Sequence, residues 1–355
     1  MSLHVGIVGL PNVGKSTLFK TITKKQAECA NYPFCTIEPN IGMVPVADER
    51  VDKLAELTKS AKKIFATVEF VDIAGLVKGA STGEGLGNKF LQNIRETDAI
   101  LYILRAFANE KIVNTQNSVS PSDEKEILDT ELALKDLETV SKRLEAVESE
   151  IRANKAEAKE EFAALSKIKP LLEQGKILSE IQFAEEEKKI INRYQLLTMK
   201  PRLYVLNGIK DEINPAVLET FEKNGWPHIA INILGESEGE GLTPQEKADF
   251  DLPSGDNLDL LIKKSYELLD LIAFFTTGPD ETRAWTLKRG STAPQAGGVI
   301  HTDFEKKFIR AEVINWQNLL NAGGFVQARE KGLIATVGKD YIVQDGDVIE
   351  IKANA

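Results

Sequence analysis

Cysteine is nearly missing from this chain of 355 residues, which carries only Cys29 and Cys35. Two cysteines without a second pair build no structural zinc site and no disulfide framework of the secreted type, which predicts a protein of a reducing, cytoplasmic compartment. Also missing is any apolar run long enough to span a bilayer, and the opening residues run straight into a strand pattern with no signal-peptide signature. No membrane partner is therefore expected. There is no excess of positive charge either: the net charge of −10 argues against indiscriminate coating of nucleic acid. DNA is not an expected partner, while a local basic patch remains compatible with that balance. No internal repeat or low-complexity tract breaks the pattern. What remains, 42% apolar and 28% charged residues, is the composition of a soluble globular protein. The length calls for two or three domains.

The most informative stretch is Gly9-Leu10-Pro11-Asn12-Val13-Gly14-Lys15-Ser16-Thr17, directly after the apolar run His4–Val8. It fits G-x-x-x-x-G-K-[ST], and it sits between a strand and an amphipathic helix start, where a phosphate-binding loop belongs. Its glycines let successive backbone N–H groups turn inward on a β-phosphate, and the helix adds its positive end. Lys15 is expected to bridge the β- and γ-phosphates and Ser16 to hold Mg²⁺. Nucleotide binding is thus assigned to Asn12, Val13, Gly14, Lys15, Ser16 and Thr17.

Short apolar strands at Val5–Val8, Val68–Asp72, Ile100–Leu104, Arg202–Asn207 and His228–Ile233 alternate with helical patterns, which reads as an α/β fold with a parallel sheet. From about Asp123 to Tyr194 the chain turns rich in Glu, Lys, Ala and Leu. Leu137, Val140, Leu144, Val147 and Ile151 follow 3-4 spacing, the seam of a coiled coil or helical hairpin. Pro170 and Gly175 are expected to break it before a second helix over Glu185–Leu197. One reading of this arm is a hairpin packed on itself with its charges in solvent; the other is an arm that binds a partner. A third region starts near Thr276. Its short strands (Arg283–Leu287, Arg310–Ile314, Leu333–Val337, Asp340–Val343, Asp347–Ile351) and one helix near Asp303–Phe308 suggest a β-grasp module. There ten Lys/Arg balance ten Asp/Glu between 277 and 355, so the acidity resides elsewhere.

A nucleotide switch also needs a mobile hydroxyl that reaches the metal and a glycine that senses the γ-phosphate. Thr36, between Pro33 and Pro39, is the candidate hydroxyl. Val68–Gly75 reads as a buried strand ending in D-x-x-G, so that Asp72 acts on the metal through water and the Gly75 N–H faces the γ-phosphate. Lys15, Thr36 and Gly75 are the catalytic set. The residue after Gly75, where a glutamine orients water in Ras-like enzymes, is Leu76, which cannot accept a hydrogen bond; slow basal turnover follows. Gly79, Gly83, Gly85 and Gly87 mark a second switch segment or a plain surface loop. At Asn207-Gly208-Ile209-Lys210, a lysine stands where guanine readers place a carboxylate. An ammonium only donates, so guanine is disfavoured and adenine preferred, with Asn207 and Gly208 cradling the purine.

These motifs, with Asn31–Asn40, Asp72–Ser81, Gly83–Leu91 and the carboxyl-terminal Arg283–Thr286, Ala293–Ala296 and Val299–Glu305, resemble those of the Obg-like ATPases, the YchF group of the Obg family. The likeness runs over effectively the whole chain. It implies a Ras-like P-loop NTPase domain over 1–122 and 200–275, a helical coiled-coil arm over 123–199, and a β-grasp TGS domain over 276–355. It also implies ATP hydrolysis in preference to GTP, metal contacts at Ser16 and Thr36, and association with ribosomes or RNA in translation or stress responses. A potassium ion assisted by Asn12 is a further implied cofactor beside Mg²⁺. The chain departs from the family at Lys210, where a glutamate is usual, and at Ile231–Glu236, which lacks a Ser-Ala pair.

Competing readings are a GTP-hydrolysing Obg-type translation factor and a nucleotide-gated scaffold that does not hydrolyse; a metabolic P-loop kinase would need neither Thr36 nor Gly75. His301 is expected to be structural or to lie at an interface. Trp285 with Lys306, Lys307 and Arg310 forms either an RNA-contact face or an ordinary solvated helix end. Cys29 and Cys35 are read as small residues in preference to redox sensors.

Overall fold

The computed structural model describes residues 3–24, 40–73, 88–107, 120–254 and 256–354. The expected positions Cys29, Cys35, Thr36, Gly75, Leu76, Gly79, Gly83, Gly85 and Gly87 lie outside them. The elements run β1 (His4–Val8), α1 (Lys15–Lys24), β2 (Ile41–Pro45), α2 (Glu49–Thr58), β3 (Lys62–Ile64), β4 (Thr67–Asp72), α3 (Asn88–Arg95) and β5 (Ala99–Arg105). They continue with α4 (Pro121–Arg152), α5 (Ala158–Glu173), α6 (Glu185–Asn192), β6 (Arg202–Asn207), α7 (Pro215–Lys223), β7 (His228–Ile231) and α8 (Ile233–Glu238). The chain divides into two compact units, Met1–Lys24 with Ile37–Gly42 and Glu69–Leu258, and Lys25–Thr36 with Met43–Val68 and Asp259–Ala355. Among the described residues no helix is long and apolar enough to cross a membrane.

The first unit is built on the parallel strands β4, β1, β5, β6 and β7, neighbours in that order. β5 and β6 are buried along their entire length, because crossover helices cover both faces of a parallel sheet. That is why they read as unbroken apolar runs. The core under the sheet gathers Tyr102, Tyr204 and Phe221, all fully buried, whose rings meet edge to face.

The arm grows out of this core. Ser120 caps α4 by accepting from the Asp123 N–H, with Pro121 at the first helical position. Leu128 and Leu132 belong to the core of the sheet, whereas Val140 and Leu144 belong to a second core with Leu165, Ile168 and Leu172 of α5. The charges of α4 are not all in solvent: Lys125 and Asp129 pair at 2.6 Å, Arg202 of β6 joins Asp129 at 3.0 Å, and all three are buried. Tyr102 donates to the same carboxylate, and the Lys125 ammonium lies 3.8 Å from the Trp226 ring centre. Higher up, buried Asp136 accepts from the Leu197 and Thr198 N–H groups and the Thr198 hydroxyl, fastening the returning chain to α4. Pro170 does not break α5, which runs on to Glu173 because Ile168 and Leu172 are both buried; Gly175, at φ 68°, ends the segment instead. The helix expected over Glu185–Leu197 stops at Asn192.

The second unit carries a sheet of order β11-β10-β12-β8-β9-β3, with β8 (Leu271–Thr277), β9 (Glu281–Lys288), β10 (Phe308–Asn315), β11 (Ala335–Val337) and β12 (Asp347–Ala353). Its carboxyl-terminal strands begin at Leu271, before the expected start at Thr276; Leu-Ile-Ala-Phe-Phe has no alternation and continues a helical run, so it carries no local strand signature. Asp340–Val343 is not a strand: its one ladder contact is a bridge between Thr292 and Ile342. Where a single helix was expected, short helices stand at Ala293–Ile300, Thr302–Lys306, Trp316–Ala322 and Phe325–Glu330. The core joins Phe274, Leu287, Ala293, Ala311, Val313 and Ile349. His301 is structural here: its Nδ1 accepts from the Asp303 N–H and caps the helix after it. Trp285 donates to the Thr276 hydroxyl, and the Arg283 guanidinium lies 4.0 Å from its ring centre. Lys306, Lys307 and Arg310 are exposed.

Candidate functional site

The carboxyl ends of β1, β4, β5, β6 and β7 share one edge of the parallel sheet, the edge where doubly wound folds bind ligands. At the end of β1 the chain turns sharply. Gly9 is required by close approach, since a Cβ there would stand 2.5 Å from the Ile103 carbonyl oxygen of β5. Asn12 and Gly14 take positive φ, 64° and 103°, which folds the loop back before α1 begins with the Leu18 N–H on the Gly14 oxygen. A Cβ on Gly14 would also lie 2.7 Å from Asn207 Nδ2.

Lys15 donates from Nζ to the Leu10 carbonyl at 2.6 Å, so the loop holds its own cation in place. Burial lowers the Lys15 pKa, and the charges of Asp72 and Glu124 oppose that shift. Ser16 Oγ lies 3.3 Å from Asp72 Oδ2, which brings the loop hydroxyl and the carboxylate at the end of β4 together. A hydroxyl and a carboxylate are hard oxygen donors of the kind Mg²⁺ takes. Val13 is placed differently from its neighbours: its side chain is buried in the core and only its backbone serves the loop.

Glu124, in the first turn of α4, is buried against this site and accepts from the Arg105 N–H at 2.8 Å. Burial pushes its carboxyl up to about 7, against the pull of that N–H and of the Arg105 and Lys15 charges. The Arg105 guanidinium lies 4.8 Å from the ring centre of Phe107.

A cavity of about 660 Å³ opens between the phosphate loop and the ends of β6 and β7. Asn12, Gly14, Lys15, Ser16 and Thr17 line one end, and Phe107, Asn207, Gly208, Ile209, Glu212, Asn232, Ile233 and Leu234 the other. Ile209 and Leu234 are large apolar side chains left 47% and 59% exposed. Uncovered apolar surface of that size inside a cavity suits the two faces of a flat heterocycle. Sequence reasoning missed them, although their place just beyond two strand ends was the available signal.

Asn207 is buried, and both ends of its amide are engaged. Nδ2 donates to the Val13 carbonyl at 2.9 Å, and Oδ1 accepts from the Ile233 N–H at 3.1 Å. It ties the phosphate loop to the start of α8. Lys210 and Asp211 are exposed and do not line the cavity, whereas Glu212, not foreseen from the sequence, does.

Two family models match the chain: one described as "50S ribosome-binding GTPase" over residues 4–145, and one for the carboxyl-terminal part of YchF GTPases, described as a protein of unknown function, over residues 271–354. Curated relatives called "Ribosome-binding ATPase YchF" from Haemophilus influenzae and Bacillus subtilis are each 46% identical, with 100% of both chains covered. The solved structure of the Schizosaccharomyces pombe YchF GTPase matches with a TM-score of 0.89 at 37% identity, covering 99% of this chain and 98% of that one.

Proposed function

Because this chain belongs to the YchF family of P-loop nucleoside triphosphatases, we propose that it binds and slowly hydrolyses ATP as a conformational switch acting on ribosomes in the cytoplasm. The observation that carries the adenine reading is the base end of the cavity. Both ends of the Asn207 amide already bond the backbone, and the apolar pair Ile209 and Leu234 offers a slot for a purine.

In this reading Lys15 leaves the Leu10 carbonyl for the β- and γ-phosphates, while the N–H groups from Asn12 to Thr17 surround them. Mg²⁺ would be held by Ser16 and Thr36, with Asp72 through water, and would neutralise charge on the phosphate oxygens. Thr36 and the Gly75 N–H complete the catalytic set, and Leu76 keeps turnover slow. A potassium ion at Asn12 is the further cofactor. The nucleotide domain is read as 1–122 with 200–275, the arm as 123–199, and the TGS domain as 276–355. The arm, or the face holding Trp285, Lys306, Lys307 and Arg310, is read as the ribosome or ribosomal RNA contact.

The test is a titration of labelled ATP and GTP analogues, with phosphate release followed with and without K⁺ and ribosomes. ATP is expected to bind tighter and to be cleaved faster when ribosomes are present. A clear GTP preference supports the Obg-type GTPase instead, and no release under any condition supports a non-hydrolysing scaffold. In Lys210→Glu the ratio of the two affinities is expected to stay within about twofold, since position 210 does not face the cavity.

A further inference from the structure

The base end of the cavity contains three polar side chains: Asn207, Asn232 and Glu212. Asn207 has both its donor and its acceptor engaged with backbone. Asn232 Oδ1 accepts from the Gly235 N–H at the start of α8, so its oxygen is turned toward the helix. Glu212 is exposed and, among the described residues, makes no side-chain hydrogen bond or ion pair. Among the described residues its carboxylate is the one charged acceptor at this end of the cavity.

Local geometry explains why position 212 faces the cavity and position 210 does not. Lys210–Glu212 forms a 3-10 turn, entered through the Glu212 N–H on the Ile209 oxygen at 2.9 Å. Side chains three apart eclipse on such a turn, so Ile209 and Glu212 share a face, while Lys210 and Asp211 point elsewhere. Buried Ile213 follows at once and pins the turn to the core of the sheet. An apolar surface and an acceptor are thereby held side by side at the cavity wall.

On the pairing edge adenine presents its 6-amino donor at the position where guanine presents a carbonyl oxygen, while guanine's own donors, N1–H and the 2-amino group, lie farther along that edge. A carboxylate held opposite the 6-position accepts from adenine and repels the guanine oxygen. We propose that Glu212 is the base-reading residue of this chain, accepting a hydrogen bond from the 6-amino group of ATP. The proposal rests on the reading of the cavity as an adenine nucleotide site.

The experiment compares ATP with purine riboside triphosphate, which lacks only the 6-amino group, and with GTP. Affinities are measured by competition on the full-length protein, wild type and Glu212→Ala. The wild type is expected to bind ATP about tenfold tighter than the 6-H analogue, the worth of one charge-assisted hydrogen bond. In E212A the two should bind alike, the 6-H analogue should bind both proteins equally, and GTP should gain relative to ATP. An unchanged melting temperature of this surface variant shows that the fold is intact. A wild type that prefers ATP, with the discrimination unmoved in E212A, overturns the role of Glu212 alone. A wild type that prefers GTP overturns the adenine reading and this role with it.

Discussion

The two ends of the nucleotide cavity are made in different ways. The phosphate end is nine consecutive residues whose backbone does most of the work, shaped by positive φ at Asn12 and Gly14 and by the start of α1. The base end is assembled from separated segments, with Phe107 after β5, Gly208, Ile209 and Glu212 after β6, and Asn232 to Leu234 after β7. One side chain, Asn207, joins them. A contiguous loop can hold a charge that every nucleoside triphosphate shares. A composite wall can be altered one segment at a time, so under the proposed function this is where identity of the base would be decided.

Two substitutions break that comparison. Lys15→Ala should have the largest effect. Removing a cation that would bond charged phosphates costs about 1.5–3 kcal/mol, a loss of roughly ten- to hundredfold in affinity, and ATP and GTP should suffer equally. Equilibrium binding of both nucleotides checks it, and a loss confined to one of them would mean the loop is not base-blind. Asn207→Ala should come next. It leaves the buried Val13 carbonyl and Ile233 N–H unpaired, which costs about 1–3 kcal/mol of stability, read as a lowered denaturation midpoint. Both nucleotides should weaken together, since the residue aligns the loop and touches the wall from behind. Selective loss of ATP would instead make Asn207 a direct reader of adenine.

How much of this was legible in the sequence follows the same division. The phosphate loop and the strand ending at Asn207 were readable because local spacing and an unbroken apolar run encode them. Lys210 drew attention because a motif counts residues along the chain. The 3-10 turn counts them around an axis, and on that count Glu212 shares the Ile209 face. Neither reading of the arm foresaw buried charge in α4, for Lys125 and Asp129 look like any helical Lys-Asp pair until Arg202, some seventy residues on, is brought against them. β2, β3 and α2 went unread as elements, and β8 announced itself only as more apolar sequence. In each case the deciding neighbour was distant in the chain.

Glu124 carries the smallest effect, and it is one of proton stoichiometry. A carboxyl pushed up to about 7 is half-occupied by a proton at neutral pH, so this corner of the protein carries a fractional charge. A triphosphate settling on Lys15 brings negative charge and masks the cation that favours the ionised carboxylate. The carboxyl pKa then rises further, and the protein takes up part of a proton along with its nucleotide. Calorimetry between pH 6 and 8, in buffers of different ionisation heat, should read up to about half a proton per nucleotide. Glu124→Gln, which keeps an acceptor for the Arg105 N–H, should remove the part of that uptake that the carboxyl supplies. Nucleotide affinity would then track the acidity of the surroundings through a residue at the root of the arm, with no histidine involved.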